Sequence, residues 1–171
     1  MEHVKIGRET LGAGPSLEQQ HVALAELGRR AVSTPDFDDF VPETLRVIRD
    51  LFGADLAAVV EVLEGGRSVA VRYVEGPSAW RLAGAEITAE AGSLVGDALR
   101  STRPILVSDA GEYAHSGVDV FAALGIRSGA GVIVDGPTHP FGVLGVGFED
   151  PHRFTVAEGI FLQGIANLVG L

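Results

Sequence analysis

Residues 131–155, GVIVDGPTHPFGVLGVGFEDPHRFT, gather glycines, two histidines and an acidic pair. That set of residue types serves either a phosphate cradle, a metal site or a plain hairpin. A dinucleotide cradle needs GxGxxG at a strand-to-helix turn, because the phosphates sit at the positive end of a helix with backbone N–H groups aimed at them. Gly142, Gly145 and Gly147 run in the reverse spacing, and the alternation of Val143, Leu144 and Val146 marks a strand interior. Glycine there signals a bulge, a bend or the close approach of another backbone. A metal would need His139 and His152 together. His139 falls in the turn DGPTHPFG and His152 beyond the far end of the next strand, about ten residues away at about 3.3 Å each. His152 reads as a surface residue of the corner that Asp150 and Pro151 begin, so the stretch is hairpin, corner, helix.

The totals remove further chemistry. The 171-residue chain has no cysteine, which excludes disulfides, thiolate nucleophiles, iron–sulfur ligation, sulfur-based zinc sites and thioether attachment of a cofactor. No nucleophile stands beside a base and no acid pair is clustered, so the chain is expected not to be an enzyme. A net charge of −10 repels phosphate backbones, and no Lys/Arg cluster offsets it, so nucleic acid is not an expected partner. With 46% hydrophobic and 21% charged residues the composition is globular. No apolar run approaches the roughly 20 residues that span a bilayer. Residues 1–15 lack the apolar stretch of a secretory signal and read as a flexible leader, leaving 16–171 as a single domain in the cytoplasm.

The elements that must position any site follow from periodicity. Ser16 with Gln19 has capping-box spacing, and Leu17, Leu24, Leu27 and Ala31 continue a helix to about Val32. Thr34 and Pro35 read as a second helix start, with Phe37, Phe40, Val41, Leu45, Ile48, Leu51 and Phe52 as its buried stripe and Gly53 as its end. Residues 54–76 read as two strands joined at Gly65 and Gly66. A short strand is expected at 86–88, a helix from Ser93 to Arg100, a strand in RPILVSD, and a brief helix ended by Gly125. Thr155 with Glu158 opens a last helix that reaches the final residue with no stop signal. Hairpin-joined strands imply an antiparallel sheet, with the terminal helices on one face and the middle segment on the other, an α+β sandwich.

The segment from Ser128 to Leu171 resembles the C-terminal half of a GAF domain, in which a strand turns back through Gly-Val-Leu-Gly-Val and Phe-Thr opens the last helix. ITAEAGSLVGDALRSTRPILVSD is similar to the family's Gly-Ser helix and Arg-Pro-Ile strand, and FDDFVPETLRVIRDLFGADLAAVVEV to its leading helix and first strand. Together these cover about residues 20–171. The resemblance implies a GAF/PAS-like central antiparallel sheet with terminal helices on one face and loops and short helices on the other. It also implies a sensory module of a larger signalling protein, homodimeric through helices near 16–33 and 155–171, with an effector domain outside this chain.

By that resemblance the walls of a small-molecule pocket come from Trp80, the loop 109–116 with Asp109, Tyr113 and His115, the helix around 118–124 with Phe121, and Arg127 and Ser128. Arg127 either holds an anionic group through paired hydrogen bonds or is an exposed edge-strand arginine; Asp109 either lines the pocket or caps a turn. His115 stands where heme-binding members carry their proximal ligand, and is otherwise a solvated loop histidine. Covalent bilin attachment lacks its usual cysteine, as do the family's free methionine sulfoxide reductases, and the Asn-Lys and Phe-Asp-Glu pattern of cyclic-nucleotide binders is absent. The expected function is a ligand-gated regulatory domain; the alternatives are an unliganded dimerisation spacer and a heme sensor through His115.

Overall fold

The computed structural model describes residues 14–34, 36–77, 79–110 and 124–170. Two helices lead: α1 (Leu17–Ser33) and α2 (Phe37–Phe52). The hairpin β1 (Leu56–Val62) and β2 (Ser68–Glu75) follows, then a 3-10 turn at Ala79–Arg81, β3 (Glu86–Thr88), α3 (Leu94–Leu99) and β4 (Ile105–Val107). The chain closes with β5 (Ser128–Asp135), β6 (Pro140–Phe148) and α4 (Val156–Val169).

Local chemistry sets most of these limits. Both capping boxes form: Ser16 Oγ accepts from the Gln19 N–H and Thr155 Oγ1 from the Glu158 N–H. Gly53 ends α2 at φ 65°, and Gly65 and Gly66, at φ 88° and 70°, turn the first hairpin, as only glycine does without strain. Two expectations shift. The second helix starts at Asp36, whose Oδ1 accepts the Asp38 N–H, because Thr34 is already spent as the C-cap of α1, its N–H bonded to the Arg30 carbonyl. The last helix does have a stop, since the Gly170 N–H bonds to the Ala166 carbonyl and caps it.

The six strands form one antiparallel sheet in the order β3-β2-β1-β6-β5-β4, so β1 and β6, far apart in sequence, lie side by side at its centre. Leu27 of α1, Leu45 and Ile48 of α2 and Leu162 and Ile165 of α4 bury against Val59, Val132, Val134 and Leu144 on one face. The opposite face is smaller: Val60, Val69, Val71 and Val143 meet Leu82, Ala89 and Ala98. Register shifts leave Arg72 and Phe141 as extra residues, and Phe141 swings to the helical face, edge-on to Phe37 at 5.6 Å. The α+β sandwich expected from the sequence is the observed architecture.

Candidate functional site

The sheet face opposite α1, α2 and α4 has glycines where side chains would otherwise stand. Glycines two apart on each strand fall on one side of the pleat, and here they also meet across strands: Gly129 pairs with Gly147, and Gly131 with Gly145. Gly145 pairs in turn with Ala58, and Gly147 with Leu56. Gly129, Gly131 and Gly147 are buried. A Cβ on Gly131 would touch Leu94 and Ala98 of α3 at 3.3 and 3.4 Å, and one on Gly147 would meet Ile126 at 3.1 Å. Gly145, between them, has no described side chain within 4 Å of its would-be Cβ. Gly145 and Ala58 are only partly buried although they sit on the two central strands. At the end of this floor a shallow dent, open to solvent, is lined by Asp55, Leu56, Pro77, Leu124, Ile126 and Glu149. Its rim is acidic, with Asp55 Oδ2 accepting the Glu149 N–H at 2.7 Å.

Of the residues predicted to hold a ligand, the four described ones do not all meet at one place. Trp80 stands on the 3-10 turn after β2, 74% exposed, with the Arg81 guanidinium 5.2 Å over its ring. Asp109 follows β4, on the opposite edge of the sheet. The structure does bring Asp109 to Arg127, with Oδ2 and Nη2 3.6 Å apart, so that the exposed guanidinium faces a carboxylate. Ser128 is buried and its hydroxyl donates to the Asp150 carbonyl at 2.7 Å, on the helical side of β5 with Ala130. Tyr113, His115 and Phe121 lie outside the described residues, as does most of the helix expected before Gly125. Among the described residues no group of three or more His, Asp or Glu side chains is placed to hold a metal ion.

The expectation that His152 lies on the surface is corrected. Its ring is buried, stacked on Phe148 at 4.3 Å and 5° and edge-on to Phe154 at 4.5 Å, and Nε2 lies 3.0 Å from Glu158 Oε2. A polar corner in sequence thus becomes an aromatic plug, because the chain folds the ring back onto the end of β6. The glycine floor was also missed, although Gly129 with Gly131 and Gly145 with Gly147 carried the period-two signal for it.

The profile of the GAF domain family matches residues 34–171. A search of curated proteins finds no match. Among solved structures, free methionine-R-sulfoxide reductase from Neisseria meningitidis in complex with its substrate is similar at a TM-score of 0.74 and 18% identity, covering 93% of each chain. The GAF domain of an Acinetobacter phosphoenolpyruvate-protein phosphotransferase superposes at 0.73 and 18% identity, covering 91% of this chain and 92% of that one. The phycocyanobilin-bound GAF domain of a cyanobacterial phytochrome superposes at 0.69 and 16% identity, over 88% and 91%. These likenesses establish a shared fold. They also correct the expectation that the chain is not an enzyme: a fold shared almost end to end with a reductase removes the ground for excluding enzymes, and lack of cysteine excludes only thiol chemistry.

Proposed function

The chain belongs to the GAF domain family, whose members are sensory and regulatory modules of signalling proteins, and on that premise we propose that it is a small-molecule-responsive regulatory domain. One observation carries the reading: Ala58 and Gly145, paired on the two central strands, keep access to solvent on the face opposite the helices. The centre of a sheet is where packing is normally tightest. Partial exposure there supports a recess that a ligand fills, resting on backbone between α3 and Ile126.

In this reading Trp80 and the Asp109–Arg127 pair form parts of the rim. Because Arg127 faces Asp109, an anionic ligand group would have to displace that carboxylate, so neutral or zwitterionic ligands fit better. Binding is coupled to a homodimer through α1 and α4, and the signal passes to an effector outside this chain.

A thermal-shift screen against metabolites tests the proposal, since a ligand at 100 times its Kd stabilises by about 2.7 kcal/mol. A hit whose shift is lost in Ala58→Leu, which fills the recess from its floor, is the expected result. Hits that survive both Ala58→Leu and the milder Gly145→Ala would move the site elsewhere, and silence across the screen would count against a ligand.

A further inference from the structure

Glu158 does more than cap a helix. At the equivalent position of α1, Gln19 closes the capping box with an exposed amide and no charge. Glu158 closes the box of α4 in the same way, yet its side chain is only 3% exposed. Burying a carboxylate is costly unless both oxygens find donors. Both do: Oε1 accepts the Thr155 N–H at 3.2 Å, and Oε2 meets His152 Nε2 at 3.0 Å. The cap alone would need no charge, so the carboxylate is there for His152. The same carboxylate also reaches the chain ahead of α1, where a Cβ built on Gly14 would lie 2.5 Å from Oε2.

We propose that the His152–Glu158 pair is the joint through which the recess over Ala58 and Gly145 sets the position of the first turns of α1 and α4. The inference rests on the reading of that recess as a ligand site. Gly145 has no side chain to absorb an occupant, which therefore bears on the β6 backbone itself. Phe148 lies three residues beyond Gly145, about 10 Å along the strand. Its ring is covered face-on by His152, whose nitrogen holds Glu158, and Glu158 closes the capping box of α4 while lying against Gly14, two residues ahead of the N-cap of α1. Packed rings and buried bonds shift between discrete arrangements more readily than they deform, so a movement of β6 is passed on.

The test needs no identified ligand, because Ala58→Leu supplies a permanent occupant. Backbone hydrogen exchange is followed on the whole chain in four forms: the natural sequence, Ala58→Leu, His152→Phe and the double variant. Ala58→Leu is expected to change exchange in residues 15–22 and 156–162 by about fivefold or more, the lower end of ordinary coupling between sites. In the His152→Phe background, which keeps a ring but loses the donor, those segments should stop responding while β1 and β6 respond as before. Should either variant not fold, Gly145→Ala replaces the first and His152→Gln, which keeps a donor and loses the stacked ring, replaces the second, with the same expectation. An equal response with and without His152, or none at the helix starts in the natural background, overturns the joint. A failed ligand screen bears on the binding proposal instead and leaves these exchange outcomes readable.

Discussion

Gly142 and Gly145, three residues apart on β6, are glycines for opposite reasons. A Cβ on Gly142 would collide with the Val60 carbonyl oxygen on β1, whereas one on Gly145 would enter the recess. Composition shows two glycines; only the cross-strand register separates close approach from vacancy. Tyr73 shows a similar dependence on distant partners. Its hydroxyl donates to the Asp38 carboxylate of α2, and Arg72 Nε lies 3.4 Å from its oxygen while Nη1 binds Glu61 at 2.5 Å. Burial pushes the Tyr73 phenol above its ordinary value, and the bond to Asp38 adds to this. A phenol raised in this way holds its proton more tightly in the folded chain than in the unfolded one. Its contribution is therefore whole below about pH 10, the ordinary phenol value, and is lost as pH rises through the raised folded value. Tyr73→Phe should cost about 1 kcal/mol at pH 8. Urea denaturation repeated up to pH 11 should show the gap between parent and variant closing; a constant gap would mean the hydroxyl contributes nothing through its proton.

At the scale of elements, signals contained within a few residues were readable and those that depend on pairing partners were not. Ser16 with Gln19, Thr155 with Glu158, Ser93 before α3 and the Gly65–Gly66 turn each act through bonds no more than five residues long, and each stands where the sequence put it. The start of α2 was misplaced because Thr34 and Asp36 are both good N-cap residues and the chain needs one for ending α1 and the other for starting α2. That division makes a prediction. Asp36→Ala should destabilise the fold by about 1 kcal/mol in chemical denaturation, whereas Thr34→Ala, whose recorded capping bond comes from its backbone N–H, should change it far less. Equal losses would return the cap to Thr34. The placement of β1 beside β6 had no local signal, since Ala57 meets Val146 across most of the chain, and the burial of His152 depends on a ring four residues back and a carboxylate six ahead. The candidate site was less legible than the fold for this reason: its floor is made of side chains that β5 and β6 lack, and absence acquires meaning only in register.

For the whole molecule, the outward surface of the terminal helices decides whether a second copy binds. Leu17, His21, Ala25, Gly28 and Val32 recur at intervals of four, four, three and four along α1, the spacing of one helical stripe, and Val32 is 90% exposed. No described atom lies within 4 Å of a would-be Cβ on Gly28. Beside α1, which packs on α4 where Leu24 meets Gly164, the exposed Val156 and Ile160 widen the apolar surface. Small residues at the middle of such a stripe let two copies of α1 approach closely across a two-fold axis, where each residue near the axis faces its own counterpart. Two chains of charge −10 repel each other, so the apolar seam must overcome a term that salt screens. The proposed dimer should therefore tighten as ionic strength rises, the reverse of an association held by opposite charges. Ala25→Glu would set two carboxylates against each other at the seam, and light scattering should show the mass fall from twice the chain to once, with the circular dichroism of the fold retained. A natural chain that scatters as a monomer at every salt concentration, or an Ala25→Glu variant that remains dimeric, would take the seam away from α1.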